Sequence, residues 1–89
     1  MATLFVRHEV ADFDTWKAAY DAFEGARTAM GVTGHGAYQA DDNPNNVTAY
    51  HHFDSMDAAK AFASSDRLRE AMAAAGVVGV PDIWFGRKI

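Results

Sequence analysis

The sequence contains no cysteine. This excludes disulfide bonds, thiolate zinc sites, iron–sulfur clusters and cysteine nucleophiles together, and it fits a protein of the reducing cytoplasm. A chain of 89 residues makes one domain, which buries only about 60% of the surface that its unfolded chain exposes. Because disulfides are excluded, association with a second copy of the chain is the readiest source of further burial.

The sequence also lacks the features that suit a membrane or a nucleic acid. No apolar run approaches the roughly 20 residues that span a bilayer, and the first ten residues carry charges where a signal peptide would be apolar. The formal net charge is −4, and the basic residues are scattered rather than clustered. We therefore expect a cytoplasmic protein with neither a membrane nor a nucleic-acid partner.

The first part of the chain predicts a strand, a helix and a second strand. Residues 2–10 alternate with the period of a strand, and Asp12 or Asp14 then caps a helix that ends at Gly31. Residues 32–40 are typical of a short strand interrupted by glycines. One face of the first strand carries Leu4, Val6, His8 and Val10. Because the other face, with Phe5, Arg7 and Glu9, also has an apolar side chain, we expect the strand to be covered on both sides. The apolar stripe of the helix carries Trp16, Tyr20, Phe23, Arg27 and Met30.

The rest of the chain predicts a strand, a helix and a last strand. The turn sequence ADDNPNN predicts a long polar hairpin tip before a strand at 47–53. A second helix begins at Asp54 or Ser55, pauses at two serines, Ser64 and Ser65, and ends at Gly76. The glycine and proline segment GVVGVP then predicts a connector, and 82–89 contains the last strand.

The order β-α-β-β-α-β predicts one α+β domain over residues 1–89 with a ferredoxin-like fold. In that fold a four-stranded antiparallel sheet carries both helices on one face and leaves the other face bare. Phe5, aromatic residues of the hairpin, and Trp84 or Phe85 supply apolar surface to the sheet. A bare apolar face of that kind is unfavourable in a monomer, so we expect a homodimer built sheet to sheet.

Three stretches of the sequence resemble a known family: RHEVADFDTWKAAYD, HFDSMDAAKAF and AMAAAGVVGVPDIWF. Arg27 and Gly31 are part of the same resemblance. They resemble short bacterial proteins of the dimeric α/β-barrel superfamily, related to antibiotic-biosynthesis-monooxygenase-like and polyketide-cyclase-like members. The resemblance implies two ferredoxin-like subunits whose sheets close into a shared barrel. It also implies a reactive cavity between the sheet and the helices of each subunit, in a superfamily that includes cofactor-free oxygenases, haem-degrading enzymes, cyclases and isomerases.

The resemblance does not transfer a known set of functional residues. Relatives that oxidise polycyclic phenols use an asparagine and a tryptophan around the substrate, and the haem-degrading relatives add a histidine. In this sequence the first strand has no asparagine, and neither predicted helix has a histidine.

His8 and His52 are the candidate catalytic residues. His8 shares an apolar strand face, where a partly desolvated imidazole acts as a general base near neutral pH. The competing interpretation is a structural histidine held by a hydrogen bond. Since adjacent strand residues point to opposite faces, only one of His51 and His52 lines a pocket, and His52 shares its face with Asp54. If the first and third strands are neighbours, His8, His52 and Asp54 approach one another.

Those three residues match the donor set of a non-haem iron site. Their spacing nevertheless matches no recognised metal motif, and Asp54 is equally explained as a helix cap. We therefore expect neither a metal nor another cofactor.

Aromatic residues provide the candidate substrate contacts. Trp16, Tyr20, Phe23 and Trp84 would form a wall on which a planar ligand stacks, and Arg27 would pair with an anionic group. The alternative is that the aromatic residues are ordinary core and that the Arg27 stem packs flat while its guanidinium reaches water or a helix C-terminus. Three further residues, His35, Tyr38 and Tyr50, lie on strands whose faces the sequence does not settle.

Two functions remain open at this stage. One is a cofactor-independent monooxygenase, cyclase or isomerase that acts on a small apolar or aromatic compound by proton transfer in a pocket between sheet and helices. The alternative is a non-catalytic ligand-binding or stress-associated homodimer. A cavity of a few hundred cubic ångströms with an exposed imidazole edge would favour the enzyme, and a filled core would favour the alternative.

Overall fold

A computed structural model describes all residues, 1–89. Four strands form one antiparallel sheet in the order β2-β3-β1-β4, with four helices. This confirms the predicted α+β ferredoxin-like fold, with each predicted helix divided into two. The elements are β1 (Ala2–Val10), α1 (Phe13–Ala22), α2 (Glu24–Ala29), β2 (Val32–Ala40), β3 (Asn43–Phe53), α3 (Met56–Ala63), α4 (Asp66–Ala74) and β4 (Val77–Arg87).

The alternation predicted for β1 is confirmed. Leu4, Val6, His8 and Val10 are buried on one face, whereas Arg7 and Glu9 are exposed on the other. β1 lies in the interior of the sheet between β3 and β4, with Leu4 opposite His51 on one side and Phe85 on the other. The face that carries Leu4 is therefore the face that the helices cover.

The first predicted helix is two helices that meet at Phe23. The Asp12 carboxylate accepts a hydrogen bond from the Thr15 backbone N–H at 2.9 Å and caps α1. Phe23 closes α1 and opens α2, and Gly31 follows α2 with a φ of 96°, a conformation that glycine adopts without strain. The predicted stripe stays on the sheet side across the break, with Trp16 and Arg27 buried and the other three members half-buried.

The second predicted helix is divided where the two serines predicted a pause. The Ser55 hydroxyl accepts from the Ala58 N–H and caps α3, and the Ser65 hydroxyl accepts from the Leu68 N–H and caps α4. α3 buries Ala59 and Phe62, whereas α4 has no fully buried residue. α4 is therefore less firmly anchored to the core than α3.

Two predicted loops are wrong, because strands extend into them. Only Asp41 and Asp42 separate β2 from β3, so the hairpin has no long polar tip. Residues 77–81 of the segment GVVGVP belong to β4 instead of forming a connector. Edge strands tolerate glycine and proline at bulges, and here Gly79, with a φ of 73°, lies where the pairing with β1 shifts between Arg7 and Glu9.

The core consists of two clusters on the helix side of the sheet. The larger contains Ala2, Leu4, Val6, Val32, Phe53, Ala59 and Phe62, and the smaller contains Val10, Trp16, Val47 and Ala75. Trp16 is buried and stacks on Tyr20 with the ring centroids 4.9 Å apart. It is thus the large side chain that anchors α1 to the sheet.

We predict that Trp16→Ala lowers the free energy of unfolding by about 3 to 5 kcal/mol, because it removes a buried aromatic ring and leaves a cavity. Val80→Ala is the control, since Val80 is 94% exposed, and it should change stability by less than about 0.5 kcal/mol. Urea denaturation of both variants measures the difference. A Trp16→Ala loss no larger than that of the control would show that this residue does not anchor the core.

Candidate functional site

A cavity lies between the sheet and the helices, where the two core clusters meet. Its volume is about 60 Å³, and its polar lining residues are His8, Tyr20, Arg27 and His51. Pockets for drug-sized ligands measure about 300 to 1,000 Å³, so this cavity holds only a few small atoms as it stands. It is smaller than the volume that we set as a sign of an enzyme pocket, although imidazole groups do line it.

A larger groove lies outside this cavity, between α4 and β4. Its volume is about 390 Å³. Leu68 and Met72 of α4 line both the cavity and the groove, and both are half-buried. These two residues therefore lie at the boundary between the cavity and the groove.

His8 lies on the cavity wall without a hydrogen-bond partner. Its residue is 8% exposed, and neither ring nitrogen contacts a protein donor or acceptor. Burial lowers the pKa of His8, because the charged imidazolium loses solvation. The ring is consequently neutral at pH 7 and presents one N–H and one lone pair to its surroundings.

His51 is the second imidazole on the cavity wall. His52, and not His51, was predicted from the sequence as a catalytic residue. It is 6% exposed, and its Nδ1 has no partner. Burial first, and then the nearby positive charge of Arg27, lower the pKa of His51 to about 4. The alternation of buried Val47, Ala49 and Phe53 along β3 is the signal that would have placed His51 on the core face.

His52 does not reach the cavity, so the expectation that His8 and His52 come together is wrong. The register places Leu4 opposite His51 and Thr3 opposite His52, so His8 and His52 lie on opposite faces of the sheet. The Nδ1 atom of His52 is hydrogen-bonded to the Thr3 hydroxyl at 2.8 Å on the helix-free face. No group of three or more His, Asp or Glu side chains is placed to hold a metal ion.

Four of the five residues predicted to contact a substrate lie at the cavity, and the fifth lies on the helix-free face of the sheet. Trp16, Tyr20, Phe23 and Arg27 all line the cavity. Trp84 instead stacks on Phe5 across the helix-free face, with the ring centroids 5.5 Å apart, and is 46% exposed. It pairs directly with Phe5 in the sheet, which fixes it on that face.

Arg27 is a buried cation, only 2% exposed. Its Nη2 donates to the Tyr20 carbonyl oxygen at 2.6 Å, in the last turn of α1, and to the Glu24 carboxylate at 3.2 Å. The guanidinium carbon lies 4.1 Å from the centroid of the Tyr20 ring, a cation–π contact. The predicted alternative of a bond to a helix C-terminus is therefore found, but the guanidinium does not reach water.

A chain of hydrogen bonds continues from Tyr20 towards the surface. The Tyr20 hydroxyl lies 2.5 Å from His35 Nδ1, and His35 Nε2 lies 2.7 Å from the Glu24 carboxylate. Because a carboxylate only accepts, Nε2 carries the hydrogen and Nδ1 accepts from the hydroxyl. Hydrogen bonds from Arg27 and His35 lower the pKa of Glu24, which is therefore ionised at neutral pH.

The helix-free face carries its own aromatic residues. Tyr38 stacks on Tyr50 at 6.2 Å between centroids, and Tyr50 lies 5.0 Å from His52. The Tyr50 ring covers Gly36, where a Cβ atom would come within 2.6 Å of the Tyr50 hydroxyl. Together with Phe5 and Trp84, these rings cover much of the helix-free face.

The structure thus defines a class: a ferredoxin-like α+β domain with a histidine-lined cavity between its sheet and its helices. The family model for antibiotic biosynthesis monooxygenase matches residues 1–74. The chain belongs to that family. No helix of the structure is both long and apolar enough to cross a membrane.

Solved structures show the same fold at low sequence identity. A protein from Bordetella bronchiseptica with the same family description has a TM-score of 0.85 at 13% identity, over 99% of this chain and 96% of that one. SnoaB, a cofactor-independent oxygenase from Streptomyces nogalater, has a TM-score of 0.75 at 13% identity, over 99% and 94%. A sequence search against curated proteins finds no match.

We predict that the buried His51 makes stability depend on pH. The pKa of His51 falls from 6.5 in the unfolded chain to about 4 in the folded one, so the unfolded state binds more protons as the pH falls below 6.5. Stability is therefore lost as the pH falls from 6.5 towards 4, and His51 alone accounts for about 2 kcal/mol between pH 7.5 and pH 5.

Urea denaturation of a His51→Gln variant at the two pH values tests this. The variant should lose about 2 kcal/mol less than the wild type on acidification. Val32→Ala, which removes buried methyl groups but no titratable group, should keep the wild-type dependence. Equal dependence in His51→Gln and wild type would contradict the burial of a neutral imidazole at this position.

Proposed function

We propose that this chain is a cofactor-independent enzyme of the monooxygenase, cyclase or isomerase type that acts on a small apolar or aromatic compound by proton transfer. The observation that carries the proposal is the pair of buried imidazoles, His8 and His51, which line one cavity with ring nitrogens that no protein group satisfies. Family membership and the similarity to SnoaB, a cofactor-independent oxygenase, support the same class.

Unsatisfied buried nitrogens point to a bound molecule as their partner. Leaving a buried polar atom without a hydrogen bond costs about 1 to 3 kcal/mol, so such atoms in a native protein need an explanation. A substrate with a carbonyl or hydroxyl group at the cavity would supply the missing bonds. The remaining wall is aromatic and aliphatic, which suits an otherwise apolar compound.

His8 is the better base of the two. Protonation of His51 is opposed both by burial and by the buried cation Arg27, whereas only burial opposes protonation of His8. We therefore assign proton abstraction to His8, and to His51 a hydrogen bond that holds the substrate oxygen. Trp16, Tyr20 and Phe23 would hold the aromatic part of the substrate.

Abstraction of a proton beside a carbonyl group leaves an electron-rich carbanion. In the monooxygenase form of the reaction, a CH₂ group and O₂ yield a carbonyl group and water, with all electrons supplied by the substrate. In the isomerase or cyclase form, the same carbanion takes its proton back elsewhere or attacks a second carbonyl group. Each form needs a base and a cavity that excludes bulk water.

Substrate entry requires Leu68 and Met72 to move. The cavity of about 60 Å³ is too small for an aromatic ring, and these two residues lie between it and the groove of about 390 Å³. They belong to α4, which has no fully buried residue, so their displacement disturbs the core less than movement of Phe62 would. The same small cavity favours the alternative of a non-catalytic homodimer, and the following experiment separates the two.

We predict that His8→Gln reduces turnover of a carbon-acid probe at least a hundredfold, the usual range for loss of a general base. Anthrone is a suitable probe, because it is planar and aromatic with an acidic CH₂ group beside its rings. Oxygen consumption measures its oxidation above the uncatalysed rate. His52→Gln is the matched control on the opposite face of the sheet and should stay within about twofold of the wild type.

Full activity of His8→Gln would remove the base assignment and leave His51 as the next residue to test. Absence of both oxygen consumption and hydrogen exchange in the wild type would favour the non-catalytic alternative.

We also propose that two copies associate through their helix-free faces. Phe5, Tyr38, Tyr50 and Trp84 make that face apolar and aromatic, and a monomer exposes it to water. A stable interface of this kind buries at least about 1,000 Å² in total. Such an arrangement leaves the helix side, with its cavity, facing outwards.

We predict that Trp84→Glu converts the dimer into a folded monomer, because it places an unpaired charge within the proposed interface. Ala61→Glu, at an exposed position of α3, adds the same charge on the helix side and should leave the dimer intact. Sedimentation equilibrium at micromolar concentration distinguishes a 9.7 kDa particle from one of twice that mass. A wild-type protein that sediments as a monomer would contradict this proposal.

A further inference from the structure

The hydrogen-bonded chain of Tyr20, His35 and Glu24 runs from the cavity to the protein surface. Tyr20 lines the cavity and its ring is half-buried. The His35 side chain is 24% exposed, and the Glu24 side chain is 60% exposed. Three ionisable groups at separations of 2.5 and 2.7 Å thus connect the cavity lining with the exposed surface.

The direction of these hydrogen bonds suits the export of a proton. The Tyr20 hydroxyl donates to His35 Nδ1, and His35 Nε2–H donates to the Glu24 carboxylate. A hydroxyl, an imidazole and a carboxylate in this order are also the parts of a catalytic triad, in which the carboxylate fixes the tautomer of the histidine and stabilises its cation.

We propose that Tyr20, His35 and Glu24 form a proton relay between the cavity and solvent, an inference that rests on the proposed function of the cavity. A proton released in the cavity binds the Tyr20 oxygen while the hydroxyl proton passes to His35 Nδ1. The Nε2 proton of His35 then passes to Glu24 or to water at the surface. One proton enters at the cavity and one leaves at the surface, so the charge of the relay is restored.

Arg27 contacts two of the three residues of the relay, Tyr20 and Glu24. Its guanidinium lies over the Tyr20 ring at 4.1 Å and donates to Glu24 at 3.2 Å, so one buried cation positions both ends of the chain. Burial raises the pKa of Tyr20, and the charge of Arg27 acts against that rise. Tyr20 is therefore protonated at neutral pH and passes a proton on, while its brief phenolate form is stabilised by the cation.

The relay would carry to solvent a proton that His8 has taken from the substrate. His8 has no hydrogen-bond partner in the protein, so a proton that it takes from a substrate has no protein route to solvent. The cavity of about 60 Å³ has room for about two water molecules, which would join His8 to Tyr20. Without the relay, the proton on His8 would return to the substrate.

Hydrogen exchange of the probe tests this step without oxygen chemistry. Anthrone is incubated with the protein in D₂O under nitrogen, and mass spectrometry follows deuterium at its CH₂ group above the uncatalysed rate. We expect Tyr20→Phe, His35→Ala and Glu24→Gln to slow deuterium uptake about tenfold or more. Binding of the probe, followed by quenching of tryptophan fluorescence, should change less than about twofold, because the Phe ring keeps the stack on Trp16.

Two controls separate a relay from a structural role. Asp21→Asn removes a neighbouring exposed carboxylate that pairs with Lys17 instead, and it should exchange like the wild type. Added imidazole should restore exchange in His35→Ala in proportion to its concentration, whereas potassium chloride at equal ionic strength should not. A purely structural loss would not respond to a soluble proton carrier.

The outcomes distinguish the two proposals. Exchange that is lost in His8→Gln but unchanged in Tyr20→Phe and His35→Ala would overturn the relay and leave the proposed function standing. Neither exchange nor oxygen consumption in the wild type would overturn the proposed function, and the relay with it, whereas oxygen consumption without exchange would overturn the relay alone. Loss in the relay variants without rescue by imidazole would also count against the relay.

Discussion

The antiparallel register of β1 against β3 is the constraint on which the rest of the structure depends. With Leu4 opposite His51, the even positions of β1 and the odd positions of β3 share the helix-covered face. A shift by one residue would bring His52 and Tyr50 under the helices and expose Phe53, which is fully buried. The hydrophobic core and the histidine-lined cavity are therefore fixed by the same pairing.

The cavity exists because the helix side of this small sheet is not filled entirely with apolar residues. Two imidazoles and a guanidinium occupy positions where most domains place aliphatic side chains. Burying the two imidazoles with ring nitrogens unpaired opposes folding, and a chain of 89 residues has little apolar surface with which to offset that cost. The guanidinium of Arg27, in contrast, is held by hydrogen bonds to Tyr20 and Glu24.

The two helical pairs form different sides of the cavity wall. α1 and α2 supply the polar side, because the break at Phe23 lets Arg27 return to the last turn of α1 and hold both Tyr20 and Glu24. α3 and α4 supply the apolar side, with Phe62 fixed in the core and with Leu68 and Met72 at the boundary of the outer groove. Hydrogen-bonded polar groups therefore face a wall of apolar side chains across the cavity.

The sequence by itself determined the order of the elements, the stripe of α1 and α2 and the alternation along β1, because hydrophobic periodicity and caps such as Asp12 and Ser55 are local. Four of the five predicted cavity contacts followed from that stripe. The alternation of Val47, Ala49 and Phe53 along β3 carries a local signal for the face of His51. Only the tertiary structure decided that His51 lies opposite Leu4 and shares a cavity with His8, since strand register depends on a partner more than 40 residues away in sequence. The bonds from Tyr20 to His35 and from His35 to Glu24 also depend on packing between a helix and an edge strand, which no local pattern records.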